Sequence, residues 1–219
     1  MYMSNHTHNH MHNRQVSLGF TPDLYPEGTH ICYLYDNEEE RKHFMSAFVS
    51  SGIDERETVT YLADTVPDML ERVIEELGIA MPSQEQKNQF TAATAVETYC
   101  PGGQFVPQIM LDRLRDIYVL HHAAGCAGAR ATGEMTWALH DIPGSDRLIE
   151  YEGRINDLLK TYPLTAICQY DTRRFDGATI FEVLSVHPIM IVHGQIMRNP
   201  FYVPPDQYSE AKSGTRDGK

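Results

Sequence analysis

A chain of 219 residues with 42% hydrophobic and 22% charged side chains carries enough apolar material for one packed domain and barely enough for two. Its formal net charge of -12 repels phosphate, which argues against direct nucleic-acid contact and against attachment to an anionic lipid surface. No apolar run approaches the roughly 20 residues of a membrane span, and the N-terminus lacks the basic and apolar regions of a secretion signal, so a cytoplasmic protein is expected.

Residues 1–20 read as a polar tail carrying His6, His8, His10 and His12 in strict alternation. Neutral imidazoles on a flexible chain can chelate a nickel, copper or zinc ion adventitiously, and no other cofactor is indicated. The body is read as a single α/β domain over residues 21–205. His30 to Asp36 is a short apolar run of strand formers, and the segment after it places Phe44, Ala47, Phe48 and Ile53 at near-helical spacing, with Ser51-Gly52 read as its stop. The pattern repeats with a strand over Thr58 to Asp64 and a helix that has Pro67 in its first turn and Gly78 at its end.

Phe90 to Tyr99 then reads as a strand, followed by a long helix opening at Pro107. Ala129 to Leu139 reads as a fourth strand, with a helix capped by Ser145 or Asp146 after it, and Pro163 to Asp171 as a fifth. A short helix and a hairpin around His193-Gly194 complete the domain, leaving residues 206–219 as a polar tail or linker. Strands alternating with helices of ten or more residues predict a mainly parallel sheet covered on both faces.

Ligands of open parallel sheets bind outside the carboxyl ends of the strands, so residues there are the first candidates. Asp36, Asp64 and Asp171 lie at such ends, although capping of the next helix or turn is the plainer reading of each. Glu134 and Trp137, three apart on one predicted strand, would face opposite sides, and Arg130 is placed to pair with Glu134. Cys168 and Tyr170, two apart, share a face, although a buried cysteine also serves simply as a small hydrophobe. His30 opens the first strand as a polar plug, ligand contact or surface residue. His121, His122 and His187 match no metal-ligand spacing, and the four cysteines have no CxxC pairing, so neither catalytic zinc nor a disulfide framework is expected.

A nucleotide hydrolase of this architecture would carry GxxxxGK[ST] after the first strand. This chain has DNEEERK, whose carboxylates suit a helix N-terminus and repel a triphosphate.

The ordered segments HICYLYDNEEE, TVTYLAD, RATGEMTW, ICQYDTRRFDGATIFEVLSVHP and NPFYVPP, spread over about Gly28 to Pro205, resemble the methanogen/methylotroph DcmR-type sensory domain family, MEDS. The resemblance implies a RecA/KaiC-like core with a degenerate phosphate loop that senses one-carbon or other hydrocarbon derivatives. Such domains are often joined to a DNA-binding or histidine-kinase module. This chain leaves no room for that module, so a separate output protein or a longer parent chain is expected; a homo-oligomer is compatible with the sequence. By motif, the resemblance offers His30, Asp36, Glu134, Trp137, Cys168, Tyr170 and Asp171 as ligand-contacting positions, to which Arg130 is added as partner of Glu134. A non-catalytic sensor is therefore the leading reading. A small hydrolase or dehalogenase-like enzyme using Asp36 or Asp171, and an ATPase-derived interaction module, are the alternatives.

Overall fold

A computed structural model describes residues 14–79 and 88–204. The elements in chain order are β1 (Gln15–Ser17), β2 (Leu24–Pro26), β3 (His30–Tyr35), α1 (Glu38–Asp54), β4 (Thr58–Ala63), α2 (Leu70–Glu76), β5 (Phe90–Thr94) and α3 (Ala95–Tyr99). They continue with α4 (Pro107–Ala123), β6 (Ala129–Glu134), α5 (Leu148–Thr161), β7 (Thr165–Asp171), α6 (Gly177–Val186), β8 (Ile189–Val192) and β9 (Gln195–Arg198).

Seven strands form one sheet in the order β5-β4-β6-β7-β3-β8-β9, parallel throughout except for β9, which returns antiparallel to β8. Every residue of β3, β6 and β7 is buried, as expected for central strands covered on both faces. One face, carrying Cys32, Leu34, Cys168 and Tyr170, packs on Met110 and Leu114 of α4, Tyr151 and Ile155 of α5 and Val183 of α6. The other, carrying Ile31, Tyr33, Val59, Tyr61 and Ile167, packs on Phe44 and Phe48 of α1 and Ile74 of α2. Positive φ angles at His193 and Gly194 make the two-residue β8–β9 turn.

Two predicted strands end early because their ladders do: β5 has its last partner at Thr94 opposite Ala63, and β6 has its last at Glu134 opposite Gln169. The chain beyond them turns helical, so Thr98 and Tyr99 lie in α3 or at its end and Trp137 in a 3₁₀ turn, Met135–Leu139. Neither Ser145 nor Asp146 caps α5; they belong to a 3₁₀ turn that leads into it from Gly144, which has φ 88°. Within the span read as tail, residues 15–17 form β1 against β2, with Val16 and Leu18 fully buried and Arg14 ion-paired to Glu57. His6, His8, His10 and His12 and residues 206–219 lie outside the described residues.

Helix α1 does not stop at Ser51-Gly52 but runs straight through them. Gly52 serves close packing rather than termination: a Cβ there would lie 2.7 Å from Val59 Cγ2 and 2.9 Å from Arg130 Cδ. Alanine at position 52 adds about 1 kcal/mol of helix propensity, yet overpacking a core position costs about 1–3 kcal/mol. Gly52→Ala is therefore expected to lower the melting temperature, and a rise would show that the Arg130 side chain yields freely.

Candidate functional site

At the carboxyl edge of the sheet the candidate acids are held by neighbouring side chains. Glu134 accepts from Arg41 Nη1 (2.8 Å), the Tyr61 hydroxyl (2.9 Å) and the Asp64 backbone N–H (3.1 Å). Asp64 in turn accepts from the Thr136 hydroxyl and lies 3.2 Å from His140 Nε2. Asp171 accepts from Arg173 Nη2 at 2.7 Å, and that hydrogen bond holds its carboxyl below the usual carboxylate range. Asp36 is exposed. Asn37, not Asp36, caps α1, its side chain accepting from the N–H groups of Glu39 and Glu40 at 2.9 and 3.0 Å.

Arg130 does not pair with Glu134. It sits at the opposite, amino end of β6, where it donates to Glu57 Oε2 and to the Phe48 carbonyl. Trp137 is fully buried, stacked on Tyr99 with centroids 4.8 Å apart and tilted against Phe105 at 4.7 Å. The residues offered as ligand contacts thus separate: Glu134, Asp36 and Asp171 at the carboxyl edge, Trp137 in an aromatic core, and Arg130 at the amino edge.

His30, Cys168 and Tyr170 do come together, around two residues that spacing did not single out as partners. Glu152 of α5 has its Oε1 bonded by the Tyr170 hydroxyl at 2.6 Å. Its Oε2 lies 3.1 Å from His30 Nε2, 3.4 Å from Cys168 Sγ and 3.4 Å from His187 Nε2. All five side chains are buried, the carboxylate and His187 with no exposed surface. Burial, reinforced by the charge of His187, pushes the His30 imidazole down to about 4 although Glu152 pulls it up. Burial also disfavours the Glu152 carboxylate, but His187 and His30 more than offset this and hold it ionised. The Cys168 thiol is pushed well up by burial and by Glu152. Among the described residues, His30, Glu152, Cys168 and His187 form a group that can offer one ligand atom each, all within 4.8 Å of one another.

A cavity of about 1050 Å³ opens beside this cluster, at the amino ends of β3 and β8, opposite the edge where a ligand was expected. Tyr25, Leu159, Ile189 and Ile196 give it apolar walls, and His30 and Asn156 reach it from the cluster side.

Fold and site define a RecA/KaiC-type α/β domain in which the first helix after the central strand β3 starts with Asn37 and three glutamates instead of a phosphate loop. A KaiC-like protein from Pyrococcus horikoshii OT3 superposes with a TM-score of 0.56 and 18% identity, covering 81% of this chain and 80% of that one. An ATPase from the type III secretion system of pathogenic bacteria superposes at 0.52 and 11% identity, covering 91% and 67%. Both likenesses concern the fold. The chain belongs to the MEDS family, the methanogen/methylotroph DcmR sensory domain, whose family model matches residues 29–188. The transcriptional repressor DcmR of Methylorubrum extorquens is 33% identical over 79 residues, a stretch that covers 36% of this chain and 30% of the repressor. The chain thus has a regulatory, sensory role, and no helix among its described residues is long and apolar enough to cross a membrane.

Proposed function

We propose that this chain is a cytoplasmic sensor of a small hydrocarbon derivative that passes its signal to a separate output protein, such as a transcription regulator or histidine kinase, without hydrolysing nucleotides. The observation that carries this reading is the cavity whose lining joins Tyr25, Leu159, Ile189 and Ile196 to His30, which reaches Glu152, and to Asn156, which bonds His30. Apolar walls with a few convergent polar groups suit a ligand with a short apolar body and one polar head. Occupancy would act on His30, and through Glu152 on α5 and β7, which gives a route from ligand to the sheet. For a ligand of a few heavy atoms the ceiling of about 1.5 kcal/mol per atom sets affinities in the micromolar to millimolar range. Calorimetry against a panel of one-carbon and short-chain alcohols, amines and halides is expected to find such a ligand, and Ile196→Trp, which adds bulk to the cavity lining, to abolish the binding. Absence of binding by every panel member, or binding indifferent to Ile196→Trp, would remove the cavity from the reading.

The absence of nucleotide hydrolysis has its own support. The N–H groups of Glu39 and Glu40, which a phosphate would use, are taken by Asn37, and Glu38, Glu39 and Glu40 surround them with negative charge. Mg-ATP is expected to give no calorimetric signal; a micromolar Kd would overturn this. The carboxylates considered for catalysis are poorly placed, Asp36 being exposed and Asp171 bound to Arg173, so the sensor is preferred to a hydrolase.

A further inference from the structure

We infer that Glu152, His30, His187 and Cys168 form a tetrahedral site for one divalent transition ion of the zinc class. The inference is independent of what the neighbouring cavity holds.

The hydrogen bonds outside the cluster fix which atoms face inward. His187 Nδ1 lies 2.8 Å from the Val183 carbonyl, which can only accept, so Nδ1 carries a proton and a neutral His187 turns Nε2 to the cluster as a lone pair. His30 Nδ1 faces Asn156 Oδ1 at 3.3 Å, and the Asn156 amide is oriented because its Nδ2 donates to the Val186 carbonyl at 2.7 Å. A neutral His30 therefore also turns Nε2 inward as a lone pair. Two imidazole lone pairs and a carboxylate oxygen converge, and the His187 Nε2 atom makes no hydrogen bond despite complete burial. Three acceptors facing one another require a shared cation, either a proton on one imidazole or a metal ion.

Geometry and charge favour the metal. Tetrahedral bonds of about 2.0–2.3 Å give ligand–ligand edges of roughly 3.3–3.8 Å. Four of the six separations are 3.1 Å from Glu152 Oε2 to His30 Nε2, 3.4 Å from that oxygen to His187 Nε2, 3.4 Å to Cys168 Sγ, and 3.6 Å from Sγ to His30 Nε2, and the other two lie within 4.8 Å, so the four atoms need only close slightly on an ion. A divalent ion with one carboxylate and one thiolate is neutral, as a site with no exposed charge requires. Two imidazoles, a thiolate and a carboxylate form a donor set suited to zinc. On binding, the Cys168 S–H bond breaks, its electron pair forms the sulfur–metal bond and the proton passes to solvent. Tyr170 and Val183 supply the outer hydrogen bonds that orient Glu152 and His187, and the cavity at His30 and Asn156 offers a route in.

The test is a Co²⁺ titration of the reduced 219-residue chain followed by absorption, with Zn²⁺ as competitor. One equivalent of Co²⁺ is expected to produce intense visible bands and a near-ultraviolet thiolate-to-cobalt band, both displaced by Zn²⁺. The sulfur band distinguishes this site from chelation by His6, His8, His10 and His12, which supply no thiolate. It should vanish in Cys168→Ser and persist in Cys100→Ser and Cys126→Ser. If Cys168→Ser fails to fold by circular dichroism, Tyr170→Phe decides, with Zn²⁺ affinity expected to fall about 10- to 100-fold. A folded wild-type protein without the sulfur band, a band that survives in Cys168→Ser, or an unchanged affinity in Tyr170→Phe would each overturn the inference.

Discussion

Replacing Glu152 with alanine is expected to cost about 3–5 kcal/mol of folding stability, measured by urea unfolding in the presence of a strong chelator. Most domains of this size are stable by only about 5–15 kcal/mol, so the loss would take a large share of the total. The reason is the number of groups that depend on one carboxylate: the Tyr170 hydroxyl, the Cys168 thiol and both imidazoles turn toward it, and all are buried. Removal leaves Tyr170 a buried donor without an acceptor and opens a void between α5 and the sheet. The chelator separates this network from any bound ion. A loss below about 1 kcal/mol would mean that water enters from the cavity and substitutes for the carboxylate.

Glu152 also marks the limit of what could be read from the sequence. On α5 the buried positions Leu148, Tyr151, Glu152, Ile155 and Leu159 follow helical spacing, so a carboxylate fell on the apolar stripe and was visible there as an anomaly. Nothing local tied it to His187, which terminates α6, or to His30, 122 residues away along the chain. Ligand spacing rules find sites built on one or two elements; this cluster draws one residue each from β3, α5, β7 and the end of α6. The parallel sheet, by contrast, was legible because buried central strands read as apolar runs and each crossover helix has its own period.

The general rule for open sheets pointed to the carboxyl edge, and the chain has filled that edge with charge pairs. Glu134 was read as an odd carboxylate and is one, but Arg41 of α1, not Arg130, neutralises it. Strand registers explain the error: Arg130 is four residues before Glu134 on a strand, so the two side chains lie near opposite edges of the sheet.

Arg130→Met is expected to cost about 3–5 kcal/mol by removing the guanidinium from a pair with no contact with solvent. Arg130 and Glu57 are respectively 0% and 1% exposed, and Arg130 Nη1 also donates to the Phe48 carbonyl at 3.2 Å with its guanidinium over the Phe48 ring. After the substitution Glu57 would keep Arg14, whose guanidinium is partly exposed and shared with Glu55, a poorer partner than a fully buried one. The penalty belongs to the stranded carboxylate rather than to lost attraction, which makes a second substitution diagnostic. Arg130→Met combined with Glu57→Leu removes both charges, and replacement of a buried pair by apolar residues is often neutral or stabilising. The double variant is therefore expected to recover most of the stability lost in the single one, a coupling measurable from the four urea midpoints of the cycle. Additive losses would show instead that Arg130 acts by packing its stem against Gly52 and Val59, and that the charge pair contributes little.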